Sequence, residues 1–355
     1  MPAMTDISPF LKSLLSSAGL SGHESPAADL ILERWRPLAD EIHTSRLGSI
    51  HALRRGDAPA PRPSLLLSAH MDSIGMMVTG IQDGFLCLTE VGGIDPRLLP
   101  GQSVLVHARQ PLQGVIAARP PALLPDDDKK DAIGFDHLLV DVGLPPRRVA
   151  QLVRVGDLVS FANEPLELGE GILCGHSLDN RASVAALTLS LETMQAKSHA
   201  WDVWFAATVQ EEVSYAGGAT SAFALRPDLA IVVDVTYAKG PGSGGWEYFP
   251  LGGGPTLGIG PHIHPFLLKR LKELAEKLEI PCAIEPMPVS SLTETERVQL
   301  SAAGVPTAVV SIPIRYMHTP VEVAALADIQ RAARLVAEFA LALETDFLDK
   351  VVWDD

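Results

Sequence analysis

Several apolar runs in this chain stop on an acid or an imidazole. Asp202-Val-Trp-Phe-Ala-Ala-Thr-Val-Gln-Glu-Glu212 contains one such run, Val203 to Val209, closing on the adjacent carboxylates Glu211 and Glu212. Ser64-Leu-Leu-Leu-Ser-Ala-His-Met-Asp72 ends in His-x-Asp, and Leu229-Ala-Ile-Val-Val-Asp234 ends in an acid. Ala308-Val-Val-Ser-Ile312 leads through Pro313 into Arg315-Tyr-Met-His-Thr-Pro320. Continuous apolar runs of this length suit strands buried on both faces of a sheet. In open α/β sheets, ligands collect outside the carboxyl ends of the strands. Neighbours within a strand point to opposite faces, so Glu211 and Glu212 can serve one site only if the strand has broken at Glu211.

Gly175-His-Ser-Leu-Asp-Asn-Arg181 opens a helical pattern and adds a further acid. Together these segments supply His70, Asp179, Glu212, Asp234 and His318. Two imidazoles with three carboxylates make the mixed nitrogen and oxygen set that zinc, cobalt or manganese accepts. In His70-Met-Asp72 the natural role of Asp72 is to accept the second imidazole N–H of His70. Of the adjacent acids, one can ligate while its neighbour stays free as a general base. A pair of cations ~3.5–4 Å apart suits hydrolysis of an unactivated amide, because it acidifies a shared water and clamps the developing charge.

With 355 residues, 47% of them hydrophobic, the chain can bury an ample core in one large or two moderate domains. Its net charge of −15 argues against a nucleic-acid backbone as partner, since that binding needs clustered Lys and Arg. No run approaches the ~18 apolar residues of a membrane span, and the opening Met-Pro-Ala-Met-Thr-Asp lacks the regions of a signal peptide. Cys87, Cys174 and Cys282 are isolated and odd in number, which predicts neither a disulfide frame nor a zinc knuckle. A reducing, cytoplasmic location is the expectation.

Amphipathic periodicity predicts helices over Ile7 to Ala18, Pro26 to Trp35, Asn180 to Ala196, Pro265 to Leu278 and Val321 to Leu343. Ile42 to Leu53 reads as a β-ribbon turning at Leu47-Gly48. From Gly75 to Phe161 the texture changes to short strands between Gly and Pro clusters, as in a small β-barrel or sandwich. Pro120 to Asp136, rich in Asp and Lys, reads as an exposed loop. The glycine-rich segment from Gly240 to Gly254 lacks the spacing of a phosphate loop, so close packing against a ligand or partner is expected instead. The expected architecture is an α/β fold, a mixed sheet flanked by helices. Residues 1–74 and 169–355 would form it, interrupted by a small all-β barrel over 75–168.

The ordered set Ser21-Gly-His-Glu24, His70-Met-Asp-Ser-Ile-Gly75, Val91-Gly-Gly-Ile-Asp-Pro96, Leu178-Asp-Asn-Arg181, Thr208-Val-Gln-Glu-Glu-Val213 and Arg315-Tyr-Met-His-Thr-Pro-Val-Glu322 resembles the tetrahedral (TET) or glutamyl aminopeptidases, the forty-second metallopeptidase family. The resemblance covers nearly the whole chain. It implies a zinc-peptidase-like fold and two divalent metal ions per subunit, zinc or cobalt, with manganese as a third option. His70, Asp179 and Asp234 would hold the first ion. Asp179, as bridge, would hold the second with Glu212 and His318. Glu211 would be the general base acting on the water between the ions, and Asp72 would orient His70. Short peptides would be the substrates, the inserted domain would mediate dimerisation, and dimers would build a hollow dodecamer. A cis peptide at Asp179-Asn180 is also implied.

The chain departs from the family pattern at His176, usually Lys, at Ser214-Tyr215-Ala216, and at Leu292-Thr293-Glu294, near the substrate. His176 reads as a loop histidine or an added metal contact. His262 and His264 read as pocket-rim residues or as residues with no role in the site. Two enzyme alternatives compete: an amide deacylase using the same site, and a glycosidase using Glu211 and Glu212. The second needs carboxyls ~5–9.5 Å apart and leaves both histidines unused. A metal-dead oligomeric scaffold is the non-enzyme alternative.

Overall fold

The computed structural model describes residues 5–120 and 134–353. The apolar runs do lie side by side. β1 (Glu41–Thr44), β2 (Ile50–Arg54) and β3 (Ser64–His70) belong to a mixed sheet. The chain then leaves it for β4 (Gly75–Gln82), β5 (Phe85–Val91), β6 (Ser103–His107), β7 (Pro111–Ala118), β8 (Leu138–Asp141) and β9 (Leu158–Phe161). It returns with β10 (Leu166–Glu167), β11 (Ile172–Gly175), β12 (Asp202–Thr208) and β13 (Leu229–Tyr237). β14 (Thr256–Ile259), β15 (Ala283–Pro286), β16 (Thr307–Arg315) and β17 (Glu322–Ala325) complete it.

Among the described residues the main sheet runs β1-β2-β12-β3-β13-β16-β17-β11-β10, with β14 and β15 branching from β16. Its centre is parallel: β12 pairs with β3, β3 with β13, and β13 with β16. Because the strands run the same way, their carboxyl ends and the polar residues just beyond them come out together. Leu65, Leu66 and Leu67 are all fully buried, as are Ile231, Val232 and Val233, so both faces of the sheet are covered.

The covering elements are helical. α1 (Ser8–Leu15), α2 (Ser25–Trp35), α4 (Leu178–Met194) and α9 (Leu326–Leu341) share one core with the sheet, and α3 (Pro146–Leu152) lies in the inserted segment. α4 is buried almost all round, and its Ala182, Ala185, Ala186 and Ser190 allow close approach to neighbours. The Ser190 hydroxyl donates to the Ala333 carbonyl of α9 at 2.9 Å. Trp35 is fully buried, and its indole N–H donates to Thr188 at 2.8 Å. α5 (Glu211–Ser214), α6 (Ala216–Leu225), α7 (Pro265–Lys277) and α8 (Thr295–Gln299) complete the set.

β4-β5-β8-β7-β6-β9 close into an antiparallel barrel around a separate core that includes Met76, Val104, Val140 and Val159. Most of the expected Pro120 to Asp136 loop, residues 121–133, lies outside the described residues.

One expectation needs correction. Val321 to Leu343 is not one helix: residues 322–325 pair with β16 and β11, and the helix starts only at Leu326. A vacant place between two strands overrides the helical preference of Ala324 and Ala325. The glycine-rich segment meets its own chain at its end. The N–H groups of Gly252 and Gly254 donate to the buried Asp328 carboxylate at 2.7 and 2.8 Å, near the start of α9. Gly254 has φ +92°, and any Cβ there would strike the Pro281 carbonyl.

Candidate metal centre

β12 ends at Thr208, and Gln210 takes a left-handed conformation with φ +56°. The next residues form the one-turn helix α5, so Glu211 and Glu212 leave the strand before their side chains diverge. Motifs at the N-terminus shape this break. Glu24 accepts the N–H of Gly22 at 2.7 Å and that of Gln210 at 3.2 Å. Ser21 donates its hydroxyl to Asp72 at 2.5 Å. Asp72 in turn accepts the N–H of Glu211 at 3.0 Å and of Glu212 at 3.3 Å.

His70, the last residue of β3, places Nε2 3.1 Å from Asp179 Oδ1 and 3.8 Å from both Glu211 Oε2 and Asp234 Oδ1. His318 Nε2 stands 3.4 Å from Asp179 Oδ2 and 3.4 Å from Glu212 Oε2. Asp179 therefore faces the two imidazoles with its two oxygens. All five residues expected as ligands, and Glu211, line one cavity of about 510 Å³. By spacing alone Glu211 stands beside His70 as closely as Asp234 does, which admits it as a donor as well as a base.

Donors held by ~2.0–2.1 Å bonds at a tetrahedral centre sit about 3.3 Å apart, close to the observed spacings. Donor atoms of His70, Asp179 and Glu212 lie within 4.8 Å of one another, as do those of His70, Glu211 and Asp234. Glu212 Oε1 and Asp234 Oδ2 are buried without a hydrogen-bond partner. Buried acceptors of this kind are costly unless a cation or donor meets them. The residues fit divalent cations.

Electrostatics agrees. Burial pushes Glu211 up to about 9, with Asp234, Asp179 and Asp72 adding to it against His70. Burial, with Asp179 contributing, raises Asp234 to about 8 and Glu212 well above the usual range. Burial opposes charge on Asp179 too, but hydrogen bonds from His318 and His70 hold it below the usual carboxylate value. So many acids cannot all ionise together at neutral pH unless cations balance them.

The surroundings reveal roles that sequence reasoning did not assign. Glu322, 1% exposed, accepts the N–H of Asp179 at 3.0 Å and of His318 at 2.9 Å, holding a proposed bridge and a ligand by their main chains. A Cβ on Gly93 would come 3.1 Å from His318 Nδ1, so the barrel side of the molecule reaches the site through this glycine. Burial works against charge on His318, but the Asp179 carboxylate, with a smaller contribution from the Gly93 carbonyl, raises its pKa. Asp72 has a different emphasis from the expected one. His70 Nδ1 lies 3.2 Å from its main-chain carbonyl and 3.5 Å from its carboxylate, which chiefly serves Ser21, Glu211 and Glu212. The Asp179-Asn180 peptide is cis.

Other candidates fall elsewhere. His176 is buried against Ser177 and Phe161, with burial lowering it to about 3, and does not line the cavity. His262 bonds the Val289 carbonyl, and His264 packs edge-on to Trp353. Leu292 lines the cavity, whereas Glu294 is fully buried beneath it, accepting from Ser68 and from Thr208 at 2.7 Å. A Cβ on Gly218 would collide with Glu294, so the space left by that glycine accommodates this departure from the family pattern.

Residues 48–335 match the family described as M42 glutamyl aminopeptidase. The lysyl aminopeptidase of Pyrococcus furiosus is 35% identical over 331 residues, covering 92% of this chain and 94% of that protein. A TET aminopeptidase from the marine-sediment archaeon Thaumarchaeota archaeon SCGC AB-539-E09 superposes with a TM-score of 0.92 at 29% identity, covering 98% of this chain and 99% of the other. The Pyrococcus horikoshii TET1 peptidase, which can assemble into a tetrahedron or a large octahedral shell, gives a TM-score of 0.82 at 28% identity over 95% of this chain and 100% of its own. Matched over most of its length, this chain belongs to the M42 glutamyl aminopeptidase family.

Proposed function

We propose that the chain is a two-metal aminopeptidase that removes the N-terminal residue from short peptides. One observation carries this reading: His70, Asp179, Glu212, Asp234 and His318 gather from separate elements, with neighbouring donors 3.1–3.8 Å apart. His70, Asp179 and Asp234 would hold one ion. Asp179, Glu212 and His318 would hold the other. Zinc or cobalt suits this donor set, as does manganese. When bound, such a pair supplies Lewis acidity, lowering the pKa of water and stabilising an oxyanion.

The chain's own residues do the rest. Glu211, a buried carboxyl of raised proton affinity, takes the proton of the attacking water and returns it to the departing amine. Asp72 fixes Glu211 through its main chain, and Glu322 fixes Asp179 and His318 in the same way. The family description names glutamyl substrates and the P. furiosus relative's name lysyl ones, so the preferred residue must be argued from the pocket.

We further assign residues 1–74 and 169–355 to the catalytic domain and 75–168 to a dimerisation domain, with dimers assembling into a dodecamer. The capacity of the TET1 relative to form closed shells supports this, as do the exposed apolar Val115 and Val155 of the insert. No helix among the described residues is long and apolar enough to cross a membrane. With its cysteines free, we place the protein in the cytoplasm.

The test is release of amine from aminoacyl p-nitroanilides by metal-loaded protein, with N-acetylated analogues alongside. Cleavage of the free-amine substrates alone, abolished by a chelator, is the expected result. Cleavage confined to acylated substrates would replace the peptidase with a deacylase.

A further inference from the structure

The cavity that holds the metal donors extends past Asp234 to a carboxylate with no part in the proposed centre. Thr236 lies two residues beyond Asp234 on β13, so both side chains leave the same face of the sheet. The Thr236 hydroxyl donates to Glu285 Oε1 at 2.6 Å, and the Thr256 hydroxyl donates to Oε2 at 2.5 Å. Glu285 is thereby held beside Thr236, one strand repeat along β13 from Asp234, and lines the same cavity.

Glu285 is largely buried, and burial pushes its pKa up while the hydroxyls resist. The two threonine hydroxyls, with that of Ser311 close by, leave part of the acceptor capacity of the carboxylate open. Among the described residues no cation forms an ion pair with it. Arg297, the one arginine or lysine of the lining, is exposed and does not pair with Glu285. A mostly buried acid that faces a cavity with no cation paired to it is costly until a ligand supplies one. We propose that Glu285 is the specificity residue of this pocket and selects peptides whose N-terminal residue is lysine or arginine.

The inference rests on the aminopeptidase reading. With the scissile carbonyl at the metal donors, the substrate's α-ammonium is held within two bonds of the reacting carbon. Only a charge at the far end of the side chain reaches Glu285. A lysine ammonium gains a charge-assisted hydrogen bond there, a leucine side chain leaves the carboxylate unpaired, and a glutamate side chain is repelled.

The experiment compares kcat/KM for lysyl, arginyl, norleucyl and glutamyl p-nitroanilides on the metal-loaded wild-type protein and on Glu285→Gln. Norleucine matches the methylenes of lysine without the charge. Lysine should exceed norleucine by roughly tenfold or more in the wild type, mainly through KM, and that ratio should collapse towards one in the variant. Calorimetric binding of free L-lysine against L-norleucine to the wild type gives a second readout that needs neither turnover nor a folded variant, and lysine should bind more tightly. Equal use of lysine and norleucine, a glutamyl preference, or a lysine preference that survives Glu285→Gln overturns the proposal while leaving the peptidase reading intact. No cleavage of any anilide overturns both.

Discussion

Asp72 holds Glu211 by its main chain: a carboxylate oxygen of the first accepts the N–H of the second at 3.0 Å. The placement of the proposed base is thus set apart from its own charged end. Asp72→Ala would strand the N–H groups of Glu211 and Glu212. We expect a loss of about 1–3 kcal/mol in unfolding free energy and about 10–100-fold weaker metal binding. Denaturant titration and metal titration would show both, and a variant unchanged in either would remove Asp72 from this role.

Glu211→Gln should reduce turnover by about 10²–10⁴-fold and keep its full complement of metal. Elemental analysis of the variant beside its kinetics separates two roles. A missing ion would make Glu211 a ligand alongside Asp234, as their equal 3.8 Å separations from His70 permit.

His318→Ala removes the imidazole that stands 3.4 Å from both Asp179 and Glu212. One of two ions should be lost on dialysis, with activity falling to the level of chelator-treated wild type. Unchanged metal stoichiometry would refute the assignment of His318.

Gly93→Ala puts a methyl group 3.1 Å from His318 Nδ1. His318 must shift by a few tenths of an ångström, so we expect roughly tenfold weaker affinity for one ion with the other unaffected. Competition with a metal indicator would measure it.

His51 gives a pH signature away from the centre. Burial, with His43 nearby, depresses it to about 4, and its ring contacts Ser221 at 2.8 Å. In the unfolded chain it titrates near 6.5, so on acidification the unfolded state takes up the proton first. Its contribution is therefore complete above about pH 6.5 and is lost between 6.5 and 4, amounting to about 3 kcal/mol. His51→Gln should flatten the acid limb of stability over that window when both proteins are measured free of metal. Parallel curves would contradict the assignment.

The parts of this protein that could be read in advance are those written in local pattern. The apolar runs before His70, Glu211 and Asp234 announce strands, and their polar ends announce a common edge. The turn to short strands at Gly75 announces the barrel. Roles that act across the chain were not legible. Glu322 looks like any acid before a helix, and only the pairing of β17 with β11 and β16 brings it under Asp179 and His318. Glu24 binds Gln210, 186 positions away, and no periodicity encodes that contact. The same pairing hid the strand inside the run from Val321, where local propensity favours helix.

Gly93 belongs to the loop after β5, yet it touches His318 from the far side of the chain. Cutting out residues 75–161 would leave every proposed ligand in the polypeptide while removing the backbone that packs against one of them. The insert thus reaches into the site, and a version trimmed to the large sheet would lose a constraint on one imidazole.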